Sequence, residues 1–277
     1  MAAKIIDGKL CSQMVLDEVK EQIEKLDIKP TLVIYQIGDD PASQVYVRNK
    51  LNAGEKVGIN VIVKHYDAEH SKADVQNQIY VDGHDSTIDG IMIQLPVPKD
   101  WEDIELMELI PPEKDVDGLT YMNRGMLTDM TAYHLPCTAH GIVWLLHQHG
   151  IMLTGKHCVV IGRSEIVGKP FANLALNCNA TVTICHSKTK NLAEITKTAD
   201  ILVVAVGKEK LVTADMVKPG AVVIDVGINR NSDGKLCGDV DFDNVKEVAR
   251  YITPVPGGVG PMTVAMLMQN TLNAVRY

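Results

Sequence analysis

Tyr46 and Lys50 stand four residues apart in a stretch, Ala42 to Val57, whose apolar spacing is helical, so phenol and amine share one helix face. A lysine whose pKa falls from about 10.4 toward roughly 7–8 can move protons at neutral pH. A solvated surface lysine beside a half-buried tyrosine would show the same pattern. Gln94 is a polar residue at the carboxyl end of an apolar run, just before Leu95-Pro96. In open α/β sheets ligands gather outside the carboxyl ends of strands. Asp115 and Asp117 lie in a loop bounded by prolines and Gly118. Either could face a ligand, or simply bond its own backbone as turn aspartates do.

A second kind of chemistry is suggested by Cys158 to Pro170, CVVIGRSEIVGKP. A short apolar run, a turn opened by Gly162 and a helical stretch after Gly168 form the strand–turn–helix geometry that offers backbone N–H groups to a phosphate. The turn departs from G-x-G-x-x-G: Ser164 takes the second glycine's place and the last glycine comes one residue late. On its own it could be an ordinary βα turn. NAD sites carry an acid about 20 residues past such a turn, on the ribose 2′-OH. Here that region reads His186-Ser187-Lys188-Thr189, without an acid, and Arg163 sits in the turn. Two cations and a hydroxyl suit a 2′-phosphate, which favours NADP, although Lys188 could equally be a solvated loop lysine. Tyr-x-x-x-Lys is also found in short-chain dehydrogenases, but there it follows the cofactor turn. Tyr46 and Lys50 precede this turn by more than a hundred residues, which excludes that assignment.

The elements that must position these groups alternate strand and helix. Helical spacing over Ser12–Leu26 is followed by strand-like Thr31–Gly38, the helix from Ala42, strand-like Ile59–Tyr66, and Ser71-Lys72-Ala73-Asp74 as a capping box. Ile88–Pro96 is a third strand, with a helix near Glu102–Leu109 and a loop at PPEKDVDGLT. Thr138 can cap a helix over Ala139–His149, with Gly150 as its stop. Apolar β-runs then recur at Cys158–Gly162, Thr181–Ser187, Asp200–Gly207 and Ala221–Asn229, before a rigid Pro254–Pro261 loop and a last helix. The reading is α/β with two domains. Residues 1–137, joined by the terminal helix at about 262–277, form one; residues 138–261 form a Rossmann-like dinucleotide-binding domain.

Bulk properties narrow the function class. At 277 residues and 46% hydrophobic the chain can bury a large core. Its net charge of −8, without a basic cluster, argues against nucleic acid. No apolar run approaches a membrane span, and no signal peptide precedes the folded-looking sequence, so a cytoplasmic protein without a membrane partner is expected. The six cysteines are scattered without a C-x-x-C pair, and the histidines show no ligand spacing. Reduced, packed thiols and no metal are expected.

Taken together, the motifs resemble one family along essentially the whole chain: the bifunctional methylenetetrahydrofolate dehydrogenase/methenyltetrahydrofolate cyclohydrolases. They are YVRNK (Tyr46–Lys50), DGIMIQLPVP (Asp89–Pro98), PPEKDVDGLT (Pro111–Thr120), PCTAHG (Pro136–Gly141), IGRSEIVGKP (Ile161–Pro170), CHSKT from Cys185, DVGIN (Asp225–Asn229) and TPVPGGVGPMT (Thr253–Thr263). The resemblance implies that Lys50 is the cyclohydrolase lysine, that Tyr46 packs on and orients the folate, that Gln94 bonds the lysine and that Asp117 recognises the pterin. It implies cofactor contacts at Gly162, Arg163, Ser164, Ser187 and Ile228. The loop with Pro256, Gly257, Gly258 and Pro261 would border a substrate cleft between the domains. A homodimer is implied as well. Ala139 stands where the family usually has proline, and Asn52 where many members have a second lysine. Neither position carries an essential role.

This roster suits the chemistry. Hydride transfer from methylene-tetrahydrofolate requires mainly alignment, because the folate nitrogens stabilise the cation formed. Hydrolysis of that cation requires a proton-handling group, and Gln94 can hold the amine without a charge that would raise its pKa. Two rivals remain at this level. A dehydrogenase without the hydrolase would lack one of Tyr46, Lys50 and Gln94, and a nucleotide-sensing module would have lost these polar residues.

Overall fold

A computed structural model describes residues 2–67, 69–99, 101 and 103–275. In chain order the elements are β1 (Lys4–Ile5), α1 (Gly8–Ile23), β2 (Thr31–Ile37), α2 (Pro41–Val57), β3 (Asn60–Tyr66), α3 (Lys72–Gly83), β4 (Gly90–Gln94), α4 (Asp103–Met107) and α5 (Tyr121–Met126). There follow α6 (Cys137–Gln148), β5 (His157–Ile161), α7 (Gly168–Asn177), β6 (Thr181–Cys185), α8 (Leu192–Thr196), β7 (Ile201–Val204) and β8 (Val222–Asp225). The last are β9 (Asn229–Arg230), β10 (Leu236–Cys237), α9 (Phe242–Val245), β11 (Tyr251–Ile252) and α10 (Val259–Ala274). Glu102, the expected start of the helix now seen at α4, and Arg276 and Tyr277 at the end of the expected terminal helix lie outside the described residues.

The chain forms two compact units, one of Met1–Ser12 with Thr138–Thr263, the other of Gln13–Cys137 with Val264–Tyr277. In the first, six parallel strands run in the order β1-β11-β8-β7-β5-β6. β5, β7 and β8 are apolar runs, almost wholly buried, as strands covered on both faces must be. Val159, Leu202, Val204 and Val223 centre a core shared with Val212, Val240 and Val245. Residues 1–12 were expected with the catalytic domain, but they complete this sheet instead. Lys4 and Ile5 pair with Tyr251 and Ile252, and Ile6 is fully buried. Burial of Ile6 and two edge pairings outweigh sequence proximity.

The second unit has a three-stranded parallel sheet, β3-β2-β4, with β2 central and every β2 residue past Thr31 buried. Val33, Tyr35, Ile91 and Ile93 pack on Val75 and Ile79 of α3 and on Leu106. Asp82 of α3 accepts from Tyr35 Oη (2.5 Å), Lys64 Nζ (2.8 Å) and Gln78 Nε2 (2.8 Å), a buried polar bolt from sheet to helix. Ser71 stands at the N-cap of α3 as expected, though its side chain makes no bond to the helix. Thr138, expected as a cap, instead lies inside α6, where its hydroxyl meets that of Thr263 at 3.1 Å.

Candidate functional site

In the second unit, Asp40 accepts the Ser43 N–H at 2.7 Å and Pro41 opens α2, so the helix begins abruptly at the carboxyl end of β2. Ser43, Val47 and Lys50 form its buried face, with Tyr46 partly covered beside them. Lys50 is 7% exposed and donates to Gln94 Oε1 at 2.7 Å. Gln94 ends β4 and is oriented in turn: its Nε2 donates to Leu95 O at 2.7 Å, which leaves the amide oxygen facing the amine. Leu95 O also accepts from Ser43 Oγ at 3.2 Å, tying the loop after β4 to the first turn of α2. Ser43 thus supports Gln94, a role that a lone serine in the sequence does not announce.

The loop acids divide their labour. Asp115 is the turn aspartate: it accepts the N–H groups of Gly118 (3.0 Å) and Thr120 (2.8 Å) and Asn123 Nδ2 (2.9 Å). Asp117 is left to face Lys50 and Cys137. Burial holds the Lys50 amine below the ordinary lysine range, with Asp117 pulling the other way. Asp117 keeps an opening to solvent, yet its crowded surroundings raise its carboxyl pKa, chiefly by desolvation, against the attraction of Lys50. Each charge is disfavoured by burial and partly rescued by the other. The Cys137 thiol donates to Val116 O at 3.2 Å, and burial raises its pKa well above the usual value, so it stays protonated. A buried, neutral thiol is poorly suited to act as a nucleophile.

In the first unit, the turn after β5 depends on two glycines. Gly162 has φ +121°, and a Cβ there would lie 2.2 Å from Ala205 O; a Cβ on Gly168 would lie 2.3 Å from Gly162 O. The start of α7 can therefore close on the turn only without side chains. Ser164 Oγ accepts the N–H groups of Val167 (3.2 Å) and Gly168 (3.4 Å), so its hydroxyl shapes the turn. Arg163 is exposed at the tip. After β6, His186 accepts the Lys188 N–H on Nδ1 (3.1 Å), and Thr189 closes the turn through Oγ1 to His186 N (2.8 Å), presenting Ser187 and Lys188 outward.

Ile228, 46% exposed, is held at the end of β8 by two buried carboxylates that the sequence reading did not single out. Asp225 accepts the N–H groups of Gly227 (3.0 Å), Asp239 (3.0 Å) and Val240 (2.9 Å). Asp239 accepts from Val206, Gly207 and Lys208 N–H and from Asn229 Nδ2, between 2.7 and 3.0 Å. Together they fix the loops that leave β7 and β8. The signal available was two aspartates set among glycines and apolar residues. Pro256, Gly257, Gly258 and Pro261 lie in the loop before and into α10, in the same unit, where Gly258 packs against Gly8. Among the described residues no group of His, Cys, Asp and Glu could hold a metal ion.

A buried amine held by a neutral amide, and a parallel sheet with a glycine turn at its carboxyl edge, define a two-unit α/β protein built for a dinucleotide and a second ligand. Comparison with known proteins gives the family. The model of the tetrahydrofolate dehydrogenase/cyclohydrolase catalytic domain matches residues 6–117, and that of the family's NAD(P)-binding domain matches residues 136–277. The bifunctional protein FolD of Bordetella avium is 52% identical over 277 residues, covering 99% of this chain and 98% of the relative. The crystal structure of the FolD methylenetetrahydrofolate dehydrogenase/cyclohydrolase of Campylobacter jejuni superposes with TM-score 0.97 at 43% identity, over 99% of each chain. That of Trypanosoma brucei, complexed with NADP cofactor and an inhibitor, has TM-score 0.95 at 35% identity, over 100% of this chain and 98% of its own. The chain belongs to the tetrahydrofolate dehydrogenase/cyclohydrolase family.

Proposed function

We propose that this chain oxidises 5,10-methylenetetrahydrofolate to the 5,10-methenyl cation with NADP and hydrolyses that cation to 10-formyltetrahydrofolate. The observation that carries the second activity is the Lys50–Gln94 pair: a buried amine with a lowered pKa, held at 2.7 Å by an uncharged acceptor. As water attacks the bridging carbon, neutral Lys50 takes a proton from it. The lysine returns that proton to N5 as the carbon–N5 bond breaks, and the hydroxyl proton leaves to solvent, so one proton is released per turnover. Tyr46, one turn before Lys50 on the same face, packs on and orients the folate, and Asp117 accepts hydrogen bonds from the pterin. The loop of Pro256, Gly257, Gly258 and Pro261 contributes to substrate binding. Residues 13–137 with the terminal helix are assigned as the folate-binding catalytic part, and residues 138–261 as the NADP-binding part.

The dinucleotide end fits NADP. The Gly162–Gly168 turn allows the close backbone approach that a pyrophosphate needs. Arg163, Ser187 and Lys188 are exposed around it without an opposing acid in the β6 turn, as a 2′-phosphate requires, and Ile228 offers an apolar contact. When bound, the nicotinamide accepts the hydride; the protein's part is to hold donor and acceptor in line. Following methenyl-tetrahydrofolate formation spectrophotometrically should show turnover with NADP and a much lower kcat/KM with NAD. Replacing Arg163 by Ala and Ser187 by Asp should move the preference toward NAD. Equal kcat/KM for both cofactors in the unaltered chain would overturn the cofactor assignment, and no turnover with either would overturn the function.

Asp117→Ala should weaken folate binding by one to two orders of magnitude, since losing a charged hydrogen-bond partner costs about 1.5–3 kcal/mol. NADP affinity should be nearly unchanged. An unaltered folate affinity would reduce Asp117 to a loop residue. The reading includes a homodimer in the cytoplasm, without nucleic-acid or membrane partners. Its supports are the net charge of −8, the lack of any described helix able to cross a membrane, and β3. Among the described residues that strand pairs only with β2 and exposes Ile62 on its flank, as an edge joined to a second copy would. A solution mass near twice 30.3 kDa is the check on the dimer.

A further inference from the structure

The amino ends of the large sheet's strands border an open pocket of about 400 Å³ that neither proposed activity uses. Lys156 precedes β5, Asp200 precedes β7, Lys218 lies four residues before β8, and Arg250 and Tyr251 stand at β11. Gly162 and Ile228 follow the carboxyl ends of β5 and β8, and Ser187 that of the neighbouring β6. Four or five residues at about 3.3 Å each separate the two ends by on the order of 15 Å. A molecule in this cavity would not touch the dinucleotide turn.

The lining is strongly biased in charge. Three cations, Lys156, Lys218 and Arg250, face one carboxylate, Asp200, a net of +2 in a chain whose total is −8. Asp200 is already engaged: it accepts the His157 N–H at 2.9 Å and pairs with Lys218 at 2.7 Å, contacts that keep its carboxyl below the usual range. Lys156 and Arg250 make no ion pair among the described residues. The three cations arrive from separate segments, so they converge on the cavity rather than follow one helix face. The rest of the lining consists of His149, Tyr251, two glycines and apolar residues. Ile151, Met152 and Pro219 contribute, and Met152 is 60% exposed. The Tyr251 ring is braced edge-on by His149 at 6.2 Å, with the Arg250 guanidinium 5.6 Å from its centroid.

We infer that this cavity binds a small phosphate monoester carrying an aromatic ring. The dianion matches the net charge of the lining, and its three terminal oxygens match three cations from three directions. The volume falls in the range of organic-ligand sites, about 300–1,000 Å³, far more than inorganic phosphate fills. The surplus space is lined by Tyr251 and the apolar residues, which accept a planar group.

Phenyl phosphate titrated calorimetrically into the full-length chain at low salt is the test. Saturable binding is expected, with and without saturating NADP, weakening as salt screens the exposed cations. Inorganic phosphate should bind at least tenfold more weakly and phenol not at all. The double variant Lys156→Ala, Arg250→Ala removes only exposed side chains. It should bind phenyl phosphate at least tenfold more weakly, with the kinetics of methylenetetrahydrofolate oxidation unchanged. Absence of saturable binding, displacement by NADP, or equal affinity in the double variant would overturn the site. Inorganic phosphate binding as tightly would overturn the aromatic ester as its ligand.

Discussion

Lys50→Met is expected to lower methenyl hydrolysis by about 10²-fold or more, the smaller end of what a positioned acid–base group contributes, while hydride transfer persists. Methionine keeps the stem that fills the buried face of α2 and removes only the amine that donates to Gln94. The oxidation step passes no proton through a side chain, so it has nothing to lose except alignment. Supplied with methylenetetrahydrofolate and NADP, the variant should accumulate the methenyl intermediate. Both rates measured on one folded preparation decide the matter. Equal losses would mean that Lys50 only positions folate, and undiminished hydrolysis would mean that another group handles the proton.

Gln94→Glu should be nearly as damaging to hydrolysis, for the opposite reason. It keeps size and reach but puts a carboxylate within hydrogen-bond distance of the amine, where the neutral amide now accepts at 2.7 Å. An opposite charge that close stabilises the ammonium and raises its pKa by about 1–3 units. Burial alone acts downward on Lys50 in the unaltered chain. In the proposed mechanism the active species is the unprotonated amine, so activity should rise with pH through the lysine's pKa and be lost below it. The rising limb should therefore lie below the ordinary lysine range in the unaltered enzyme and move upward in the variant. At neutral pH the neutral fraction, and with it hydrolysis, should fall about 10- to 10³-fold, recovering as pH is raised. A pH–rate profile that keeps its position would sink the proposal that Gln94 serves by being uncharged.

How much of this could be read beforehand follows from the length of the signals. β2, β4, β5, β7 and β8 are apolar runs of four to seven residues, long enough to stand out. β1 and β11 have two residues each and carry no period; β1 is a strand only through its pairing with β11, across most of the chain, and β11 through its pairing with β1 and β8. The Tyr46–Lys50 spacing placed both on one face of α2, and the end of β4 placed Gln94. The sequence left open which loop aspartate was the turn-former. Asp115 proves to be, because its carboxylate gathers two backbone N–H groups and Asn123, a matter of geometry rather than composition. Ser43, Asp225 and Asp239 act by supporting other groups, through partners that are distant in sequence or invisible as backbone.

The way the two compact units share the chain has a consequence for its synthesis. The first twelve residues leave the ribosome long before the strands they join, since β1 needs β11, some 245 residues later. The intervening unit cannot be completed early either, because it needs residues from Val264 onward. Domains that occupy one continuous segment can fold in turn as they emerge. Here both finish only as the last helix appears, so a chain cut between residues 137 and 138 would yield two fragments, each lacking a piece of itself.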